Sequence, residues 1–536
     1  MTERMGLLVR GLPAVVAAVC ALTLPPPAAG TTSVAPPVPT ARQLSALAVQ
    51  PHALIAALPG AEPLLQLTGA TPVSRASGLW QVDGGAVTWL VPALARAGLL
   101  RYAEADSTRT VAGHLELGDP LIPRAWQIQR VGADLTEPPG PGVPITIVDT
   151  GIDMANPDFT ERPDVTLANT QHVPGFDDVD YHGTIVATSA AAAANGVGTV
   201  GIHPYARLRI YDLPTLEDSD IIRILDRVAA GPRSVVNLSI GGPGFSRSLY
   251  EAVMRVVDSG SLVVAASGNS FRQGNPAIYP ADTPHVVTVA GTNQADDPAP
   301  FSSGSRHVDI AAPGTDIPVQ HPTEPERFML ADGTSFAAPI VAAAAAWVWT
   351  SRPDLDAGQL AELLRRSSRD VGPGGFDTRT GHGVLDLQAA LRNPVPAPDP
   401  GEPNDDVDLI VGGKVLERAK PPLTTPGKPQ ATVAARLATI EDPHDVYRLF
   451  VPAGGTVTVT VEPDADVDLA LWSSRARTVM RSKQLRLGVS AGPGHQTESL
   501  SFTNGGARRI SVYADVWIPG RTGGKAAAYT LSVTTG

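Results

Sequence analysis

The chain has 536 residues and a formal net charge of −12, with 43% hydrophobic and 18% charged residues. That length exceeds one ordinary domain, and the hydrophobic share belongs to a globular protein rather than a disordered one. An acidic balance without a dense basic stripe excludes the electrostatic footprint of a nucleic-acid binder.

At the N-terminus, Arg4 and Arg10 precede the apolar run Gly11-Leu-Pro-Ala-Val-Val-Ala-Ala-Val-Cys-Ala-Leu-Thr-Leu24, followed by Pro25-Pro-Pro-Ala-Ala-Gly30. A charged start, a short apolar centre and a small-residue exit read as a secretory signal peptide over 1–30. The run is shorter than the roughly 20 residues a membrane span needs, and no other segment reads as a stable span. Cys20 is the only cysteine and lies inside that run, after Val19 where lipidation would want a small residue. Removal of the signal therefore leaves a chain without thiols, stabilised by core burial instead of disulfides.

Residues 31–115 mix helical and strand-like patterns, such as Gly78-Leu-Trp-Gln-Val-Asp, and predict a small α/β unit. After Asp119-Pro120 the pattern changes. Pro144-Ile-Thr-Ile-Val148, Ser234-Val-Val-Asn-Leu-Ser-Ile240, Ser261-Leu-Val-Val-Ala265 and His285-Val-Val-Thr-Val289 are near-continuous apolar strands separated by helical stretches. That alternation predicts an α/β domain over 116–392, a mostly parallel sheet flanked by helices. The proline-dense segment 393–403 reads as a linker. Beyond it, runs such as Gly455-Thr-Val-Thr-Val-Thr-Val461 alternate polar and apolar residues and predict a β-sandwich over 404–536.

Three segments of the α/β region set a reactive side chain where a strand ends or a helix begins. Asp149 follows an apolar strand in Ile145-Thr-Ile-Val-Asp149-Thr-Gly151, whereas Asp153 has already left it. In open α/β sheets the carboxyl ends of strands line the ligand crevice. His182 opens the alanine-rich helix of His182-Gly-Thr-Ile-Val-Ala, whose stop signal is Asn195-Gly196. Ser335 stands near the start of the helix in Gly333-Thr-Ser-Phe-Ala-Ala-Pro339, where a helix N-terminus favours developing negative charge. Taken singly, each has an ordinary structural reading, as turn former, helix-entry histidine or cap.

Together and in this order, the three segments resemble the Asp-Thr-Gly-Ile-Asp, His-Gly-Thr and Gly-Thr-Ser-x-Ala-x-Pro signatures of the subtilase family. Asp, His, Ser is the order of the subtilisin triad, unlike esterases, which show Gly-x-Ser-x-Gly and place His last. The resemblance implies a secreted serine endopeptidase acting on polypeptides, with Asp149, His182 and Ser335 catalytic. Leu262-Val-Val-Ala-Ala-Ser-Gly-Asn269 resembles the family's oxyanion segment, which implies Asn269 in the oxyanion hole. Ser239, Gly241, Gly242, Ala266 and Gly268 are implied substrate-binding walls, with an apolar or broad preference before the cut. Gly381-His-Gly-Val-Leu-Asp386 resembles the closing motif. Ile185 and Asn156 depart from the histidines common at those positions.

The resemblance further implies that 31–115 is an inhibitory propeptide, the enzyme's own intramolecular partner. No cofactor is expected for the chemistry, and no metal site is assigned: there is no His-Glu-x-x-His and no Cys pair. Structural calcium is an open possibility that is not assigned: Asp158 and Asn195 match calcium positions of some relatives, but their surroundings are Ala and Gly, so Asp158 reads as a surface turn residue. Glu402-Pro-Asn-Asp405, Asp442-Pro-His-Asp-Val-Tyr447 and Asp466-Val-Asp-Leu469 resemble the pre-peptidase C-terminal domain of secreted bacterial peptidases. Asp464, Asp466 and Asp468 read as solvated turn residues, with calcium binding as the alternative. Because the linker isolates that domain, a chain ending at Pro394 is expected to fold and cleave small peptides at near the full rate. A catalytically dead relative serving as a binding protein is the other reading, against which stand the intact triad and Asn269.

Overall fold

The computed structural model describes residues 40–49, 52–74, 79–105, 121–160, 162–169, 181–213, 215–320, 328–480, 483–520 and 526–536. The signal segment, Cys20 and the change of pattern at Asp119-Pro120 lie outside these residues. The chain divides into two compact units, Met1–Val111 and Ala112–Gly536.

The first unit is a four-stranded antiparallel sheet in the order 71–74, 79–83, 52–57, 100–105, accompanied by helices Ala41–Ala48, Glu62–Leu67 and Val87–Arg96. Ile55, Val82, Leu90, Val91 and Leu94 are buried in its own core. It is the small α/β unit the sequence predicts.

The second unit is built on seven parallel strands: β1 (Ile145–Asp149), β2 (Val165–Leu167), β3 (Leu208–Asp212), β4 (Val235–Leu238), β5 (Leu262–Ala266), β6 (Val286–Thr292) and β7 (Val308–Pro313). Their order is β7-β6-β5-β4-β1-β3-β2. Both faces are covered, which explains the unbroken apolar runs. Ile145 and Ile147 of β1 face one core cluster and Val148 the other. On the first face lie two helices buried nearly all round, α1 (His182–Ala191) and α2 (Thr334–Ser351). Contrary to the expectation that no other segment is long and apolar enough to span, α2 meets that test by length and composition, but 83% of it is buried within the protein, as in a core helix. On the second face, Asp218–Ala229 and Arg247–Asp258 bury Ile221, Ile224, Leu225, Val228 and Leu249, Val253, Val256 at helical spacing.

Two four-stranded antiparallel sheets follow. One contains Thr456–Pro463, whose Val457, Val459 and Val461 are fully buried while the threonines between them face outward. The period-2 pattern is that of a sheet with one wet face. The second sheet contains His444–Val451, Asp468–Ser473 and Ile510–Trp517, and the inner faces share one core.

Two expectations need correction. The segment after the linker does not dock lightly: Leu409, Val415 and Leu416 are buried in the same cluster as Leu249 and Val253 of the protease-side helix. Ending the chain at Pro394 removes part of that core. Asp158 is not a surface turn residue but fully buried, its backbone N–H held by Asn156 Oδ1 at 3.0 Å.

Candidate active site

The strand order reverses around β1, so the crevice lies at the carboxyl ends of β1, β4 and β5. Asp149 is the last residue of β1; Ser239 follows β4; Gly268 and Asn269 follow β5. From the other side the N-termini of α1 and α2 bring in His182 and Ser335.

Asp149 is fully buried. Its Oδ1 accepts from the Thr150 N–H at 2.8 Å and lies 2.8 Å from His182 Nδ1. That contact sets the tautomer: Nδ1 carries the proton, which leaves Nε2 as the basic nitrogen. The two loops are stitched together independently of the pair. Thr150 Oγ1 accepts from Gly183 N–H at 3.0 Å, and Thr184 Oγ1 from Asp153 N–H at 2.8 Å. A Cβ on Gly183 would sit 2.1 Å from the Gly151 carbonyl oxygen, so only glycine permits this approach. Asp153 itself closes its own turn on Ala155 N–H.

Ser335 lies one residue into α2, and its hydroxyl donates to Ser239 O at 3.3 Å. In return Ser239 Oγ donates to Ser335 O at 2.8 Å. Phe336 packs beside the His182 ring, centroids 6.1 Å apart. The Asn269 side chain is oriented by its acceptor end: Oδ1 receives the Thr334 N–H at 3.0 Å and the Thr334 hydroxyl at 2.9 Å. Its Nδ2 donors are thereby left for the cleft.

His182, Ser335, Asn269, Ser239, Gly241, Gly242, Ala266 and Gly268 line one cleft of about 650 Å³. Asp149 stands behind His182. All the site residues expected from the sequence are thus brought together. The sequence reading missed the wall opposite the glycines. Ile278 and Tyr279 pair antiparallel with Gly242-Pro243, and a Cβ on Gly268 would meet Ile278 Cγ1 at 2.7 Å. Thr334, which orients Asn269, was legible only as part of the serine motif.

Residues 140–383 match the Subtilase family. The subtilisin of Bacillus pumilus is 31% identical over 261 residues, spanning 47% of this chain and 92% of its own. Subtilisin BL of Lederbergia lenta is 33% identical over 275 residues, 50% of this chain and 98% of its own. Among solved structures, the S41 psychrophilic protease aligns at 25% identity over 49% of this chain and 98% of its own, with a TM-score of 0.42.

Proposed function

The chain belongs to the subtilase family and is a serine-type endopeptidase, and from that premise we propose a secreted enzyme that cleaves polypeptides through an acyl-enzyme on Ser335. Ser335 Oγ turns from the Ser239 carbonyl and attacks the scissile carbonyl carbon. His182 Nε2 takes its proton and returns it to the leaving amine, while Asp149 holds Nδ1–H and stabilises the imidazolium. Asn269 Nδ2–H and the Ser335 backbone N–H receive the oxyanion. Water then repeats the sequence on the acyl-enzyme. Every proton and electron pair in these steps is handled by side chains, backbone and water.

The observation that carries this reading is the 2.8 Å Asp149–His182 contact opening onto the same cleft as Ser335 and the oriented Asn269 amide. A fluorophosphonate probe should label the wild-type protein on Ser335 and leave Ser335→Ala unlabelled. Labelling elsewhere, or none in folded protein, would return the chain to the dead-relative reading.

The pocket walls are backbone of Ser239 to Gly242 and Ala266 to Gly268 with Ile278 between them, so an apolar or broad preference before the cut follows. A cleavage profile on a peptide library reads it directly. Residues 31–115 serve as the propeptide and intramolecular inhibitor, and residues 1–30 direct secretion. N-terminal sequencing of secreted enzyme should begin near residues 110–120; an active enzyme starting near Thr31 would make the unit permanent.

A further inference from the structure

A substrate side chain next to the scissile bond has to enter between two glycine walls. β4 and β5 are parallel neighbours with Leu238 opposite Ala265. Continued three residues past the strand ends, that register sets Gly241 opposite Gly268, on the two loops that line the cleft with Ser335. Neither residue has a side chain, so the slot between them is as wide as two backbones allow. Open, such a slot would take a flat ring or a long aliphatic chain.

The slot is filled from within. Ile278 reaches into it from the short antiparallel pairing of Ile278-Tyr279 with Gly242-Pro243. A Cβ on Gly268 would lie 2.7 Å from Ile278 Cγ1, and a Cβ on Gly241 would lie 2.9 Å from Ile278 Cγ2. The two arms of one branched side chain therefore press on both walls at once, and glycine on each wall is what makes room for them. Ile278 is only 5% exposed, so a substrate meets a packed plug where the two walls alone would leave a gap.

The plug is also fixed. A β-branched side chain is stiff at χ1. The segment that carries it is pinned upstream by Asn275, whose Nδ2 donates to Gly304 O at 2.7 Å and whose Oδ1 accepts the Gly304 N–H at 2.9 Å. Downstream, Ile278 O accepts the Asp282 N–H at 2.7 Å, and the Tyr279 ring packs edge-on against Phe245, centroids 5.5 Å apart. Reopening the slot would push a buried side chain into a close-packed surround, which interiors resist.

Charge gives no second way in. Among the described residues that line the cleft, Asp218 carries the one carboxylate, and no Lys or Arg is present. Asp218 opens the helix that follows β3, and β3 lies across β1 from β4 and β5. A lysine or arginine entering between Gly241 and Gly268 would lose water and find no counter-charge.

Given Ser335 as the nucleophile, the reading on which this rests, we propose that Ile278 closes the pocket for the residue before the scissile bond. The enzyme therefore cuts after small side chains, Ala, Gly or Ser, and discriminates against aromatic, long aliphatic and basic ones. That narrows the preference argued above to its smallest members.

The test uses the matured, secreted enzyme and a series of tetrapeptide p-nitroanilides identical except for the residue before the nitroanilide. kcat/KM should be at least about tenfold higher with Ala there than with Leu or Phe, the size a closed apolar pocket imposes on side chains a few carbons too large. Lys should fare no better than Phe. In Ile278→Gly the order should turn over, the Phe-to-Ala ratio of kcat/KM rising by at least about a hundredfold. Ile278→Ala should move the ratio the same way by less, and serves if the glycine variant does not fold. Fluorophosphonate labelling of Ser335 is measured alongside in every protein. A labelled wild type that prefers Leu or Phe, or labelled variants whose ratios match wild type, would overturn the proposal and leave the serine reading standing. No labelling of Ser335 and no cleavage of any member of the series would bring down that reading, and the pocket assignment with it.

Discussion

The two edges of the central sheet bury carboxylates in opposite ways. At the carboxyl edge one buried aspartate, Asp149, is met by the Thr150 N–H and by His182, and the result is a fixed, directional pair. At the amino edge Asp399, Glu402, Asp442 and Asp445 crowd together with several oxygens lacking any donor. A buried charge that finds its donors within the chain becomes a positioned reagent. Buried carboxylates with too few donors instead repel one another and keep a desolvation cost. The first edge is built for chemistry and the second for attachment, so substitutions should sort by edge.

The largest effect should come from the carboxyl edge. Ser335→Ala or His182→Ala should lower kcat by about 10⁶, with thermal stability nearly unchanged. That size is carried over from subtilisin, the relative, on the ground that the triad acts as a unit. More than a few per cent of activity in folded Ser335→Ala would break the assignment. Asn269→Leu should lower kcat by about 10²–10³ and leave KM close to wild type, since its donors matter once the oxyanion forms; this magnitude too is subtilisin's. A change confined to KM would make Asn269 a substrate-positioning residue instead.

Next comes a buried histidine behind the catalytic helix. His203 is fully buried, packs on Trp347 with centroids 5.7 Å apart, and burial, aided by Arg162, lowers its pKa from 6.5 to about 4. Between those values the unfolded chain binds a proton that the folded chain refuses. Its contribution is therefore complete above pH 6.5 and lost as the pH falls toward 4, about 3 kcal/mol in all. Urea unfolding at pH 7 and pH 4 should show that loss in wild type and a flatter profile in His203→Met. Equal slopes would assign the acid sensitivity to other groups.

The smallest effect sharpens the contrast at the attachment edge. Leu409→Ala should destabilise by at least about 2 kcal/mol, because the side chain is fully buried against the helix carrying Leu249 and Val253. kcat on a small peptide should hold, since Leu409 does not itself line the cleft. For the same reason a chain ending at Pro394 should unfold at a lower urea midpoint than full-length protein. An unchanged midpoint would restore the picture of a lightly tethered sandwich.

What could be read from the sequence was chemistry written in neighbouring residues. Asp149 ends an apolar strand, His182 opens an alanine-rich helix beside Gly183, and Ser335 opens a helix of small residues. Each requirement falls within a few positions along the chain, and so did the strand runs, whose unbroken apolarity reports burial on both faces. Helix α1 was read too long, to Asn195-Gly196; the backbone leaves helical geometry at Ala192, with Gly201 packed against Ala191. Tertiary structure alone decided what distant segments share. It put Ile278 against Gly268, buried Asp158, inserted Leu409 and Leu416 into the protease core, and joined Asp399 and Glu402 to Asp442 and Asp445. Composition and period record whether a residue is buried or exposed, but not which remote side chain it meets. That choice is made when whole faces pack, and the energy of the contact belongs to the pair.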